Sequence, residues 1–171
     1  MNAQLLNIGC DGFRGGLPPE YTSKVFSNAR VLQRNALTGL VPPLLRGRNF
    51  ALLYTSETDA PQALFQLAVT ELGAQVAHVH LDLSDLAVPQ DVQKIAYMLG
   101  RLYDAVECLG LPSDYVRQLA HGAGVPVFDG LSSPMHPTAG IAACLGDDNP
   151  EADKRRFVLQ AVLLHAMDME L

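Results

Sequence analysis

The strongest constraint on the fold is an alternation of short apolar runs with segments of helical length and spacing. Four runs have the length of strands: NFALLY at 49–54, QVAHVHL at 75–81, DAVECL at 104–109 and PVFDGL at 126–131. Parallel strands need crossover connections, and helices usually supply them. The alternation therefore predicts an α/β fold, with a central parallel sheet of about four strands and helices on both faces.

Apolar residues near 3.6-residue spacing mark the helices between these strands. We predict helices at 21–36, 63–72, 95–102, 113–124, 137–145 and 157–167. Gly73 suits the end of the helix at 63–72, and Ser113 or Asp114 suits the N-cap of the helix at 113–124. In the last helix one apolar face, with His165 at its edge, is expected to pack on the domain before it; its residues are Phe157, Val158, Ala161 and Leu164.

Length and charge limit the classes of protein that this chain can belong to. Its 171 residues predict one domain, with an irregular segment at 1–20, an α/β core at 21–146 and a final helix at 151–169. The net charge of −6 argues against a nucleic-acid partner. No apolar run approaches the ~20 residues of a membrane span, and the start resembles no signal peptide, so a cytoplasmic protein without a membrane partner is expected.

Cysteine usage agrees with that compartment. Three cysteines, with no CxxC pair, fit a reducing environment and exclude a complete disulfide framework within the chain. We interpret Cys10, Cys108 and Cys144 as small buried apolar residues.

The turn between the first strand and the following helix has an unexpected composition. Such strand-to-helix turns are favoured sites for phosphate binding in α/β proteins. Here it has the sequence TSETDAPQ at 55–62, with two acidic residues and no Gly, Lys or Arg. The composition therefore raises the question of what this turn does in place of anion binding.

Three segments resemble the aspartate and ornithine carbamoyltransferases. VPVFDGLSSPMHPTAGIAACL resembles the family's (I/V)P(V/I)(I/F)NGLSDxxHPxQxLAD, YTSETDAPQALFQLA fits FxxxSTRTRxSFExA, and IAYMLGRLYDAV resembles TARVLSxMxDAI. The segments occur in the family's order and spacing. The resemblance implies the amino-terminal, carbamoyl-phosphate-binding domain of these enzymes.

A fourth segment changes the expected architecture. PEADKRRFVLQAVLL, from Pro150, is similar to the family's closing helix, DEAENRxHxxKALL, which follows the whole second domain in these enzymes. Here only a few residues separate it from Leu145. The resemblance therefore implies that the amino-acid-binding domain is missing and the closing helix is kept. The alternative is a generic amphipathic helix.

The positions that bind carbamoyl phosphate in the family hold other residues here. The family's Ser-Thr-Arg-Thr-Arg falls on a run without arginine: Thr58, Asp59, Ala60, Pro61 and Gln62. A further family arginine falls on Leu109, and the glutamine of HPxQ falls on Ala139, whereas His136 and Pro137 are kept. We therefore expect neither tight binding of carbamoyl phosphate nor ordinary transcarbamoylation.

The residues themselves suggest what replaced the anion site. Asp59 is a good N-cap, Pro61 suits a first helical turn, and Gln62 follows Asp59 by three residues, which is close to a capping box. The side chains would then satisfy the N–H groups that a phosphate would otherwise have bound. A ligand site with a new specificity is the alternative.

Histidines are the other candidates for chemistry. His136 is the one retained residue with catalytic capacity, since the family's matching histidine helps to polarise the carbamoyl carbonyl. The alternative is a structural histidine at a helix start. His78 and His80 lie two apart on one face of a strand, a spacing that a metal can use. No third ligand is evident, so neither a metal nor another cofactor is predicted.

Three hypotheses remain. The leading one is a domain without catalysis, acting as a binding, assembly or regulatory module, in a homotrimer as the family implies or in mixed oligomers with a true carbamoyltransferase. The second is a small-molecule binder or enzyme that uses the crevice at the carboxyl ends of the strands, with a neutral or cationic ligand matched to Glu57 and Asp59. The third is an active carbamoyltransferase completed by a partner chain.

Overall fold

The computed structural model describes residues 17–57, 59–146, 149–169 and 171, with the backbone alone for Asp59 and Asp85. Over these residues the chain forms four strands: β1 (Asn49–Tyr54), β2 (Gln75–His80), β3 (Ala105–Leu109) and β4 (Val127–Asp129). Six α-helices accompany them: α1 (Pro19–Leu37), α2 (Asp59–Glu71), α3 (Pro89–Leu102), α4 (Ser113–Ala123), α5 (Ala139–Ala143) and α6 (Glu151–Ala166). A short 3₁₀ helix, Leu83–Leu86, precedes α3.

The described residues group into two compact units. Residues 48–57 and 75–131 form the sheet unit, which contains the four strands together with α3 and α4. Residues 17–47, 59–74 and the described part of 132–171 form the helical unit, which contains α1, α2, α5 and α6. The prediction that the whole chain forms one domain stays a prediction.

The sheet has the predicted α/β character. All its strand pairs are parallel, in the order β2-β1-β3-β4. Residue 52 of β1 is paired with His78 on one side and with Glu107 on the other, which fixes the register of the three longer strands. The predicted strands at 49–54 and 75–81 are confirmed to within one residue. The fourth is shorter than predicted, at three residues.

One face of the sheet packs against α3 and α4 within the sheet unit. Ala51 and Leu53 of β1 and Val106 of β3 lie fully buried there, in contact with apolar residues of both helices. Alternation along each strand places these residues on one face and their neighbours on the other. A parallel sheet whose strands are apolar on both faces is expected to read as continuous apolar runs. β1 does so from Phe50 to Leu53, and β3 departs from this pattern at Glu107, which is fully buried.

The helical unit is organised around α6, which packs against α1, α2 and α5. The four residues of the predicted apolar face are buried as expected, but every other residue from Phe157 to Leu164 is buried too, so burial is not limited to one face of α6. Even Gln160 is fully buried, and its amide donates hydrogen bonds to the carbonyl of Ala68 and the carboxylate of Glu71. The sequence pattern did not show this because α6 has neighbours in three directions.

Burial also changes the pKa of two ionisable side chains where α1 meets α6. The rings of Tyr21 and His165 pack edge to face, with centroids 5.2 Å apart. Burial raises the pKa of the Tyr21 hydroxyl above its usual range. Burial, and then the charge of Lys24, lower the pKa of His165, which Asp168 partly opposes. His165 is therefore a neutral packing residue at neutral pH.

Two predicted helix starts need correction. α4 begins at Ser113 with Pro112 as its N-cap, so neither Ser113 nor Asp114 caps it. The reason is that the Ser113 hydroxyl donates instead to the carboxylate of Asp129, at 3.1 Å. α3 begins at Pro89, six residues before the predicted start at 95, because proline suits the first turn of a helix.

Candidate functional site

β2 lies on one side of β1 in the sheet and β3 on the other, so the chain connections after β1 and β3 lead in opposite directions along the sheet. The carboxyl ends of β1 and β3 are therefore the expected place for a ligand. Thr55 follows β1 there and Gly110 follows β3. The Thr55 hydroxyl donates a hydrogen bond to the Gly110 carbonyl at 3.1 Å. Gly110 has a φ of +75°, and a Cβ atom on it would lie 2.9 Å from Thr55 Oγ1. The two turns are thus tied closely together.

Acidic and hydroxyl groups surround this edge of the sheet. Ser56 and Glu57 are exposed after β1, and Asp129 ends β4. Burial, followed by the charges of Glu107 and Asp129, raises the pKa of the Cys108 thiol well above its usual range. Cys108 is therefore a protonated core residue, as predicted, and not a nucleophile.

The other cysteines differ from that expectation. Cys144 is exposed, so the prediction that it is buried is wrong. It lies directly after α5, which is shorter than the predicted helix at 137–145. Cys10 lies outside the described residues.

The first turn of α2 holds Ala60 and Gln62, which the resemblance aligns with the family's arginines. α2 begins at Asp59, so Pro61 falls in the first turn as predicted. Ala60 is exposed and Gln62 half-buried. Thr58 and the side chain of Asp59 lie outside the described residues, so the capping box stays a prediction. Neither position that matches a family arginine has a cationic side chain.

His136 lies in the helical unit and is held by the residue two positions later. Its Nδ1 is 2.9 Å from the Thr138 hydroxyl oxygen and 3.3 Å from the Thr138 backbone nitrogen. The backbone N–H can only donate, so Nδ1 is an acceptor and the proton of a neutral His136 lies on Nε2. The ring is buried, whereas the neighbouring Pro137 is exposed.

Arg155 of α6 anchors the same loop, and the sequence analysis did not single it out. Its guanidinium donates to the hydroxyl of Thr138 at 3.3 Å and to the carbonyl of Ser133 at 3.2 Å. Arg155 is only 8% exposed. The Thr138 hydroxyl can therefore accept from Arg155 while donating to His136. The sequence feature that could have pointed to Arg155 is its position as a cation two residues before the apolar run that begins at Phe157.

A groove of about 480 Å³ runs beside this loop within the helical unit. α1 and α5 form its walls, and Pro137 lines it, but His136 does not. Its other described lining residues are Leu17, Thr22, Ser23, Phe26, Gly140, Ile141 and Cys144. None of these is acidic, so the groove is suited to a neutral, largely apolar ligand.

His78 and His80 are both exposed on β2. Over the described residues, no three His, Cys, Asp or Glu side chains form a group able to hold a metal ion. In the same part of the chain, no helix is long and apolar enough to cross a membrane.

The class of the molecule is that of a parallel α/β sheet with a switch point between β1 and β3, and the chain later contains a His-Pro loop. The family model described as "Aspartate/ornithine carbamoyltransferase, carbamoyl-P binding domain" matches residues 16–145. The chain belongs to this family.

Individual relatives agree with the family. The chain is 36% identical over 114 residues to the catabolic ornithine carbamoyltransferase of Burkholderia mallei, covering 67% of this chain and 34% of the relative. It is 36% identical over 117 residues to the catabolic enzyme of Pseudomonas putida, covering 68% and 35%. The chain thus spans about a third of the length of the curated relatives it matches.

Solved structures show the same fold. The ornithine carbamoyltransferase from Pyrococcus furiosus superposes with a TM-score of 0.65 at 24% identity, over 74% of this chain and 40% of the other. The catalytic subunit of aspartate transcarbamoylase from M. jannaschii gives a TM-score of 0.64 at 18% identity, over 75% and 42%.

Proposed function

We propose that this carbamoyltransferase-family domain does not catalyse transcarbamoylation and acts as a binding, assembly or regulatory module. One observation supports this most directly: the first turn of α2 has Ala60 and Gln62 where the family has arginines. Carbamoyl phosphate carries close to two negative charges, and guanidinium groups are the usual means of holding such an anion. Asp59 adds a negative charge to the same turn.

Arg155 does not supply a phosphate clamp in place of the family's arginines. Arg155 is engaged with Thr138 and Ser133, so it supports the conformation of the His136 loop. His136 is the residue whose family counterpart helps to polarise the carbamoyl carbonyl. Without an anion clamp, however, nothing would hold the substrate against it.

The spacing of α5 and α6 supports the absence of the amino-acid-binding domain at its usual place. α5 ends at Ala143 and α6 begins at Glu151. In the family the second domain lies between the corresponding helices. Residues that would bind ornithine or aspartate therefore have no position in this stretch of chain.

An exposed apolar surface on α3 supports a role in assembly. Tyr97, Met98 and Leu102 are 62%, 50% and 57% exposed, and they lie within two turns of one helix. Large exposed apolar groups in a cluster often mark a protein interface. We propose that this α3 surface, defined by these three residues, contacts a second copy of the chain in a homotrimer.

Charge substitutions on the α3 surface should dissociate the assembly. Replacing Tyr97→Glu and Met98→Glu places two carboxylates in a desolvated apolar contact, which is costly for each charge. We expect the wild-type chain to sediment as a trimer and the double variant as a monomer with an unchanged circular-dichroism spectrum.

A matched control uses exposed leucines outside the α3 surface. Leu37 and Leu40, 74% and 71% exposed near the end of α1, should tolerate glutamate without any change in sedimentation. A wild-type chain that is strictly monomeric at micromolar concentration would contradict the assembly role. Trimers that form only after mixing with a true carbamoyltransferase would replace the homotrimer with the mixed oligomer.

The groove beside Pro137 supports the second candidate function, a small-molecule binder. A cavity of about 480 Å³ falls within the range of ordinary ligand sites. Its apolar, uncharged lining favours a neutral ligand over the cationic one that Glu57 and Asp59 suggested. The third candidate, a carbamoyltransferase completed by a partner, needs replacements for three arginines and for the second domain.

A further inference from the structure

His78 and His80 share one face of β2, next to the ring of Tyr54 on β1. Both imidazoles pack edge to face against this ring, with centroid distances of 6.3 Å for His78 and 5.4 Å for His80. Tyr54 is paired with His80 in the strand register. The tyrosine ring thus holds both imidazoles on the same small area of the sheet surface.

The spacing of the two histidines suits a shared metal ion. Strand residues two apart are separated by roughly 6.6 Å along the strand, and their side chains point to the same side. Two nitrogens bound to one ion, each at about 2.0–2.1 Å from it, lie roughly 3 Å apart. From backbone positions at this spacing, rotation about the side-chain bonds can bring one nitrogen of each imidazole to that distance.

We propose that His78 and His80 form a binding site for one divalent late transition-metal ion, with water completing the coordination. Imidazole nitrogen is a preferred ligand for copper, nickel and zinc, whereas magnesium and calcium prefer oxygen. Both side chains are exposed on β2, at an edge of the described sheet, so an ion can reach them from solvent. The site uses none of the positions that match the family's arginines and none of the three residues of the α3 surface.

Calorimetric titration of the tag-free chain with Cu²⁺, Ni²⁺, Zn²⁺ and Mg²⁺ tests the proposal. We expect one ion per chain, with Cu²⁺ bound more tightly than Ni²⁺ or Zn²⁺ and no heat from Mg²⁺. His78→Ala and His80→Ala should each weaken Cu²⁺ binding at least tenfold. Affinity should also fall as the pH is lowered, because imidazole binds a metal in its neutral form.

His121 provides the matched control, since it is also exposed but is the single histidine of α4. His121→Ala should leave Cu²⁺ affinity unchanged, which separates the pair from general binding to surface histidines. The chain has no tryptophan and five tyrosines, so bound Cu²⁺ should also quench tyrosine fluorescence, and Tyr54→Phe should reduce that quenching without lowering the affinity. Wild-type affinity in either the His78 or the His80 variant would overturn the proposal. An equal loss in the His121 variant would overturn it as well.

Discussion

Restoring arginines to the first turn of α2 should raise the affinity for carbamoyl phosphate by at least about a hundredfold. The variant Asp59→Thr, Ala60→Arg, Gln62→Arg reinstates both cations of the family's motif and removes a carboxylate. Each charge-assisted hydrogen bond contributes about 1.5–3 kcal/mol. Two of them correspond to a gain of roughly 10²- to 10⁴-fold, at about 1.4 kcal/mol per factor of ten. Calorimetry at moderate salt measures the change.

The control must add the same charge away from the first turn of α2, and the test variant changes the charge by +3 because it also removes Asp59. Leu67→Arg and Thr70→Arg farther along α2, together with Leu37→Arg on α1, add three positive charges at exposed positions. This variant should bind carbamoyl phosphate no better than wild type, because its guanidinium groups do not lie at the helix N-terminus. Equal gains in both variants would mean that net charge alone governs binding. The first turn of α2 would then not be the former anion site.

Gly100→Ala should destabilise the chain by about 4 kcal/mol or more, which is enough to unfold many domains of this size. Gly100 lies on α3 where this helix meets α4. A Cβ atom added there would lie 1.7 Å from the carbonyl oxygen of Ala123, which is backbone and cannot rotate away. The clash far exceeds the roughly 1 kcal/mol that alanine gains in a helix interior. Urea denaturation measures the loss.

Other helical glycines give a graded comparison. A Cβ on Gly122 would lie 2.8 Å from the methyl group of Ala96, so Gly122→Ala should be destabilising by a smaller amount. Gly140 has no atom within 4 Å of its Cβ position, so Gly140→Ala should change stability by less than about 1 kcal/mol. Similar stability in all three variants would contradict the close packing of α3 on α4.

The strands could be predicted from the sequence because their apolar runs are bounded by clear breaks. β1 at 49–54 coincides with its predicted limits, and the left-handed conformation of Gly73 and Gly124 ends α2 and α4 as their composition indicates. These features depend on local chemistry. A run of apolar residues, or a glycine after a helical segment, needs no knowledge of distant neighbours.

Features that depend on distant neighbours could not be predicted. Nothing in the local pattern shows that Gly100 faces a backbone carbonyl, or that Ser113 bonds to Asp129 sixteen residues later. The anchoring of Thr138 by Arg155 spans seventeen residues in the same way. In each case the relevant partner is fixed by tertiary packing.

The candidate site also combines features that the sequence indicates with features that only the structure provides. The proposal that the family's arginines are substituted comes from the sequence alone, since the resemblance aligns the motif residue by residue. The Nδ1 acceptor role of His136 was not visible, because it follows from the position of the Thr138 N–H and hydroxyl. The sequence therefore predicts which groups are replaced, and the structure adds how His136 is held.

Titration of the purified wild-type chain with carbamoyl phosphate, with inorganic phosphate as control, tests the central claim most directly. Losing three arginines removes about 5–9 kcal/mol at 1.5–3 kcal/mol for each charge-assisted bond, a fall in affinity on the order of 10³- to 10⁶-fold. We predict no detectable heat up to millimolar ligand. Micromolar binding of carbamoyl phosphate would contradict the account, because other groups would then have replaced the missing arginines.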